Sequence, residues 1–238
     1  MNIFLEKEEY IYLKEYIVHH SLFGSSVYGC ENHESDLDIM CFLNENALQN
    51  NIFENQHQLQ YYCEESNIDY IFTTFKQFFN NILKGDTTIN FEILVDEYFS
   101  NIDITLFIDY KLLMCYLGLA KRDSKSGELF HAKRGVEMAK LLKYCYDEKL
   151  NNKQTRKTIT DLYNTFNELK ENSKKLNSSD IFKEAVDLQK EIKNAPKYKV
   201  NKIGEKEQYS IWKTITDKPE LNSIMQKIIE SNFNVIKY

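Results

Sequence analysis

The chain has 238 residues, of which 42% are hydrophobic, and it carries a formal net charge of −6 at pH 7. That length predicts one or two domains with a substantial core, and no window approaches the run of about 20 apolar residues that a membrane-spanning helix requires. The five cysteines are scattered and form no Cys-x-x-Cys pair, which predicts a reduced, cytoplasmic protein without a zinc site.

Charge is distributed unevenly along the chain. Residues 1–110 contain 4 Lys/Arg and 19 Asp/Glu, a net −15, whereas residues 111–238 contain 26 and 17, a net +9. An acidic half that binds metal, joined to a basic half, suits a transferase that acts on a polyanion. The alternative is that the lysine-rich helices simply present solvated faces.

The first predicted elements lead into a Gly-Ser turn. Apolar residues recur at helical spacing over residues 5–20, and a first strand is expected near His20–Phe23. Gly24 follows, and because it lacks Cβ, a ligand can approach its backbone. Ser25 and Ser26 then offer hydroxyls at the start of a short helix, where exposed N–H groups hold phosphate.

The next predicted strand, Asp36–Leu43, carries two aspartates at alternate positions. Successive side chains of a strand point to opposite faces, so Asp36 and Asp38 share one face. Two carboxylates about 7 Å apart are costly unless a cation neutralises them, and Mg²⁺ takes such ligands together with substrate phosphates. The spacing predicts a metal at the aspartates and phosphates at Gly24 and Ser25. The alternative is a turn before an ordinary edge strand with two solvated aspartates.

Gly24-Ser25, ten intervening residues and Asp36-x-Asp38 within an apolar strand together resemble the signature of the polymerase-β-type nucleotidyltransferase superfamily. The resemblance implies an α+β (α/β) fold, with a small mixed β-sheet core and flanking helices. It also implies transfer of a nucleoside monophosphate from a nucleoside triphosphate, with Mg²⁺ or Mn²⁺ as cofactor.

Two further strands are predicted at Gln58–Glu64 and Ile68–Thr73. Asp69 is the one acidic residue within the second, and aspartate is depleted from strands. The superfamily resemblance implies a role for it: Asp36 and Asp38 bridge the metals, and Asp69 activates the acceptor hydroxyl as a base or metal ligand. The alternative is that Asp69 caps the start of its strand.

Two predicted helices follow, Thr74–Lys84 and Ile89–Val95. From here the chain is similar to a branch of uncharacterised nucleotidyltransferases of bacteria and phages, over about residues 20–145. The motifs that carry this similarity are Asp69-x5-Phe75-Lys76-x-Phe78, Leu83-Lys84-Gly85, Glu92-x-Leu94, Gly118-Leu119-Ala120-Lys121 and His131-Ala132-Lys133-Arg134. The chain departs from the branch at Asp86-Thr87, where the branch has Asn-Pro.

Everything from Ile104 onward is predicted to be helical, apart from a loop over Asn194–Gln208. The predicted helices are Leu106–Ala120, Ser126–Asn151, Thr155–Glu171, Ser178–Lys193 and Leu221–Phe233. His131 and Arg134 lie one turn apart on one helix face, and the planar, permanently charged arginine fork suits phosphate. Both are therefore expected at the triphosphate, with Lys121 as a further candidate. The alternative for Arg134 is an ion pair with a carboxylate of the acidic half.

These features together predict a nucleotidyltransferase catalytic domain over residues 1–103 and a basic helical domain over residues 104–238. The cleft between them holds the triphosphate and the acceptor, and two metal ions about 3.5–4 Å apart polarise the attacking and leaving oxygens. ATP is the expected donor, an RNA or tRNA end is one acceptor, and no membrane partner is expected. The alternatives are adenylyl transfer to a protein or small molecule, or an inactive nucleotide-binding or interaction module of a toxin–antitoxin or defence system.

Overall fold

The structure is a computed structural model that describes residues 12–30, 36–44, 59–84 and 88–199. These residues form a mixed α+β fold, with a four-stranded sheet and a larger share of helix. The predicted α+β class is therefore confirmed. No helix in this described part combines the length and the apolar character needed to cross a bilayer.

The sheet is formed by β1 (Ile17–Phe23), β2 (Leu37–Leu43), β3 (Leu59–Cys63) and β4 (Ile68–Thr74). Its strand order is β1-β2-β4-β3, in which β2 and β4 are parallel and the other two pairs are antiparallel. The mixed sheet expected from the sequence is thus present, with β2 and β4 at its centre.

The helix predicted over residues 5–20 is wrong at its C-terminal end. Residues 12–16 form a short 3₁₀ helix, and β1 begins at Ile17 rather than near His20. Cross-strand pairing overrides the helical spacing here, since Ile17 pairs with Leu43 and the rest of β1 continues along β2. Residues 5–11 lie outside the described part.

Strand β2 is covered on both faces. Ile39, Cys41 and Leu43 belong to a small core with residues of β3 and β4. Met40 and Phe42, on the face that Asp38 shares, belong to a larger core that includes the helices. The helices cover this second face along most of β2, so Asp38 lies where that cover ends.

Two short helices connect the sheet to the rest of the chain. Helix α1 (Phe75–Lys84) follows β4 directly, and the hydroxyl of Thr74 accepts a hydrogen bond from the Gln77 amide at 3.2 Å, as an N-cap does. Helix α2 (Thr88–Leu94) is almost wholly buried. Both helices lie close to where the sequence predicts them.

The remaining described residues are helical with short connections. The helices are α3 (Tyr110–Ser126), α4 (Leu129–Asp147), α5 (Asn152–Tyr163), α6 (Phe166–Glu171) and α7 (Ser178–Asn194). Helix α3 extends beyond its predicted end at Ala120 and stops at Gly127, whose φ of 89° is a left-handed cap. Gly135 of α4 allows close packing on α3, because a Cβ there would lie 3.1 Å from the Tyr116 carbonyl oxygen.

The single helix predicted over Thr155–Glu171 is wrong, because the chain divides into α5 and α6 at residues 164–165. The Thr165 hydroxyl donates to the Leu162 carbonyl at 2.7 Å, which competes with the backbone ladder of the helix. The helix predicted at Leu221–Phe233 lies outside the described residues, as does most of the predicted loop over Asn194–Gln208.

One cluster of buried residues runs from Phe23 in the sheet to Tyr198 after α7. It therefore crosses the predicted boundary between residues 103 and 104. The described residues before 104 (the sheet part) and residues 104–199 (the helical part) share this core, and the residues described next lie where the two parts meet.

Candidate active site

The strand register brings the predicted acidic residues to one end of the sheet. Asp38 of β2 lies opposite Phe23 of β1 and beside Asp69 of β4. Neighbouring strands are about 4.8 Å apart, so Asp38 and Asp69 are adjacent, and Asp36 immediately precedes β2. Parallel pairing of β2 with β4 thus brings Asp69 next to Asp38, although the two are 31 positions apart in the sequence.

The negative charges of these carboxylates lie close together and repel one another. Burial, followed by the charges of Asp36 and Asp69, raises the pKa of Asp38 to about 7. Burial also raises the pKa of Asp69, although a hydrogen bond from Gln60 at 2.6 Å opposes the shift. The other oxygen of Asp69, Oδ1, is buried and has no hydrogen-bond partner among the described residues. A cation at this point would relieve the repulsion and satisfy that oxygen.

Gly24 lies directly against Asp38. It opens a short 3₁₀ helix, Gly24–Tyr28, and has a φ of 65°, which glycine adopts without steric cost. A Cβ at this position would lie 2.1 Å from the Asp38 Oδ2 atom. Glycine therefore serves two purposes here: it allows the left-handed turn, and it lets the carboxylate rest on the backbone.

A cleft of about 300 Å³ opens beside this acidic end, which is the lower end of the range for small-molecule sites. Its acidic side is formed by Gly24, Ser25, Asp36 and Asp38. The rest of its wall is aromatic, apolar or charged and comes mostly from the helices: Phe23, Tyr28, Ile89, Glu92, Phe130, His131, Arg134 and Lys170. Ser26 is not part of the wall, and its hydroxyl is buried without a partner in the described residues.

Arg134 lines the cleft, and its side chain is only 17% exposed. Its Nη1 is 3.9 Å from the Glu92 carboxylate, and its guanidinium carbon lies 4.7 Å from the centre of the Tyr28 ring. Burial alone would lower the pKa of Arg134, but the Glu92 charge and the surrounding tyrosines raise it, so the side chain stays cationic. The ion pair with the acidic half, which the sequence left as an alternative, is therefore present.

The other predicted cationic residues differ in position. His131 lines the cleft, and burial together with the Arg134 charge lowers its pKa, so its ring is neutral at pH 7. The structure does not bring Lys121 to the cleft, because its Nζ donates to Gln189 of α7 at 2.7 Å. Lys170 of α6 lines the cleft instead and donates to the Cys30 carbonyl.

Sequence reasoning missed Glu92, Tyr28 and Lys170 as site residues. Glu92 had a usable signal, since it is the one charged residue in the apolar helix Thr88–Leu94, and a buried charge needs a partner. Lys170 had none, because its contact with Cys30 joins residues 140 positions apart.

The described residues contain no group of three or more His, Cys, Asp and Glu side chains arranged to hold a metal ion by themselves. Asp36 and Asp38 still face the cleft together, and Mg²⁺ is commonly held by one or two carboxylates with substrate phosphates completing its shell. The crowded charges and the unpartnered Asp69 oxygen fit such a cation.

Comparison with known proteins adds no relative to this picture. No family model, no curated protein and no solved structure matches the chain. The resemblance to nucleotidyltransferases therefore stays a prediction from the sequence motifs.

Proposed function

We propose that this protein is a metal-dependent nucleotidyltransferase that moves a nucleoside monophosphate from a nucleoside triphosphate, with ATP as the expected donor, onto a hydroxyl acceptor. One observation carries the proposal. Asp38 lies against Gly24 and shares one side of a cleft with Asp36, and Arg134 and Lys170 bring positive charge to the wall of the same cleft. Acidic ligands for a metal and positive charge for phosphates are the two halves that such a site needs.

The carboxylates take the roles that their positions support. Asp36 and Asp38 would hold Mg²⁺ or Mn²⁺, which when bound polarises the attacking and leaving oxygens. Asp69, beside them, would accept the proton of the acceptor hydroxyl or add a further metal ligand through its free oxygen. In the reaction the acceptor oxygen bonds to the α-phosphorus, the bond to the bridging oxygen breaks, and pyrophosphate leaves.

The helical side of the cleft would bind the triphosphate. Lys170 presents its ammonium group at the wall, and Arg134 adds its buried positive charge beneath. His131 is neutral and would act as a hydrogen-bonding group rather than as a cation. Ser25 adds a hydroxyl next to Gly24.

The test is transfer of label from α-labelled ATP, with Mg²⁺ or Mn²⁺, to total cellular RNA and total protein. The double variant Asp36→Asn/Asp38→Asn keeps the side-chain shapes and removes the charges. Its matched control is Asp161→Asn/Asp187→Asn, which removes two carboxylates that are each 58% exposed on helices. We expect the first variant to lose on the order of 10²–10³-fold in transfer, and the control to equal the wild type.

The product separates the acceptor classes. Label on RNA supports the RNA or tRNA acceptor, and label on protein or on a small molecule supports the other transferase reactions. If no nucleotide or metal yields labelled product while the folded chain still binds a partner, the enzyme proposal fails and the inactive module remains.

A further inference from the structure

The turn that carries Gly24 is held from the helical part of the chain. Tyr28, the last residue of that turn, lies under the Arg134 guanidinium at 4.7 Å. Its ring also meets Tyr163 edge-to-face at 4.7 Å and Phe166 at 5.3 Å. All three partners belong to α4, α5 and α6, so one ring of the sheet part is enclosed by three helices.

A second contact fixes the residues that follow the turn. Lys170 of α6 donates to the carbonyl oxygen of Cys30. The amides of Gly29 and Cys30 in turn donate to the Ser26 and Ser25 carbonyls, at 3.3 and 3.0 Å. The residues that leave the turn therefore bond both to carbonyls within the turn and to the helical part.

Few hydrogen bonds within the turn stabilise it. It is a single 3₁₀ segment of five residues, with glycines at φ 65° and 62° at its start and just after its end, and such segments have weaker hydrogen-bond geometry than α-helices. Its entry is fixed because Phe23 pairs with Asp38 in the sheet. Its exit depends on the contacts at Tyr28 and Cys30.

We infer that Arg134 and Tyr28 are positioning residues: through the cation–π contact of Arg134 with the Tyr28 ring, the helical part sets the geometry of Gly24 and Ser25 against Asp38. Arg134 then acts on the turn through the Tyr28 ring, in addition to the positive charge that it would lend to the triphosphate. The expected effect on catalysis rests on the proposed function, whereas the claim that these contacts hold the turn does not. A displacement of the turn by about 1 Å would cost on the order of 10²-fold in rate.

The experiment compares Tyr28→Leu, which removes the ring, with Tyr28→Phe, which keeps it. The control is Tyr144→Leu, which removes a ring that is 52% exposed on α4. Amide hydrogen exchange of the unliganded chain is measured at Gly29 and Cys30, alongside kcat and KM for label transfer from ATP. We expect Tyr28→Leu to speed exchange at these two amides by about tenfold or more, with strand amides unchanged.

In the same series we expect kcat to fall by about 10–100-fold in Tyr28→Leu, with a smaller change in KM, and to be largely rescued in Tyr28→Phe. Wild-type exchange at Gly29 and Cys30 in a folded Tyr28→Leu protein would overturn the inference. Should that variant not fold, Arg134→Lys provides the test, because lysine keeps a positive charge near Glu92 but lacks the planar guanidinium that lies over the Tyr28 ring. Arg134→Lys should likewise speed exchange at the two amides, and wild-type exchange in it would overturn the inference.

Failure of the proposed function gives a different result. If the wild type transfers no label but Tyr28→Leu still loosens the two amides, the positioning contact stands and the nucleotidyltransferase proposal falls.

Discussion

Two arginines from the helical part reach the sheet part, and they are bound in opposite ways. Arg156 of α5 donates to the carbonyls of Leu94, Phe99 and Ile102 at 2.6–2.8 Å, and its Nε donates to Asn152 at 3.2 Å. Arg134 of α4 has one carboxylate at 3.9 Å, a ring face, and an Nε without a hydrogen-bond partner among the described residues.

This difference indicates a structural role for Arg156 and a position at the cleft for Arg134. Arginine has five N–H donors, and those of Arg156 are directed at fixed carbonyls outside the cleft, so it ties the segment after α2 to α5. Burial, with only partial opposition from Asp103 and Asp96, lowers its pKa to about 10, and it remains charged at pH 7. Arg134 lines the cleft, and its Nε has no hydrogen-bond partner among the described residues.

The largest expected effect comes from breaking the Arg134 pair. Arg134→Met leaves the Glu92 carboxylate, which is 2% exposed, buried without its cation. We expect a loss of about 3–5 kcal/mol of unfolding free energy, measured by urea denaturation. Adding Glu92→Gln should recover most of that loss, because the glutamine oxygen can still accept from the Tyr116 hydroxyl. Additive effects in this double-mutant cycle would show that the two charges do not interact.

Arg156→Met should cost somewhat less, about 2–4 kcal/mol, because backbone carbonyls lose their charged donor. A second side-chain substitution should not restore most of this loss, since three of its four partners are main-chain carbonyls. The control is Arg122→Met, which removes an arginine that is 70% exposed and should change stability by at most about 1 kcal/mol. Urea midpoints of the three proteins check this, and equal midpoints for Arg156→Met and Arg122→Met would contradict it.

The contrast between the two arginines also shows what sequence could reveal. The Gly-Ser turn, the alternating aspartates and the strand at Ile68 are local patterns, and β2, β4 and their acids lie where those patterns predict. The partner of Arg134, Glu92 in α2, is 42 residues away. The sequence indicated that such an ion pair could form but did not identify the carboxylate.

Long-range contacts explain most of the remaining differences. Nothing in the local sequence distinguishes Lys121 from Lys170. In the structure Lys121 donates to Gln189 of α7, whereas Lys170 reaches the cleft. Helix periodicity tells which residues face inward but not which helix end meets the sheet. The division between α5 and α6 was missed for a local reason, the Thr165 hydroxyl that competes with the backbone ladder, and this division brings Phe166 onto Tyr28.

A smaller effect should come from the two glycines that flank the turn. Gly24→Ala and Gly29→Ala both place alanine at a left-handed φ, at a cost of about 1–2 kcal/mol each. Only Gly24→Ala also pushes a Cβ into the Asp38 carboxylate, whereas the Gly29 Cβ would meet no described atom within 4 Å. We therefore expect similar melting temperatures but a much weaker Mn²⁺ affinity for Gly24→Ala alone. Equal Mn²⁺ affinity in the two variants would show that the contact with Asp38 does not matter.

The smallest effect belongs to the far end of α4, which touches neither arginine contact. Asp147 accepts from the Tyr198 hydroxyl and pairs with Lys143 and Lys197. Burial opposes the shift, but hydrogen bonds from Lys197, Tyr198 and Lys143 lower the pKa of Asp147 below its ordinary value. A carboxyl with a lowered folded-state pKa stabilises the fold above its unfolded-state pKa of about 3.9 and loses this contribution as the pH falls through the folded-state value.

Asp147→Asn should therefore be slightly less stable than the wild type at pH 7 and should lose less stability on acidification toward pH 3. The two urea midpoints should converge as the pH falls, and a constant difference between them from pH 7 to pH 3 would contradict the ionic origin of the contact. Because this cluster is partly exposed, added salt should also narrow the difference at pH 7. The Arg134–Glu92 pair is buried, so its coupling should change far less with salt, and that contrast distinguishes the two ends of one helix.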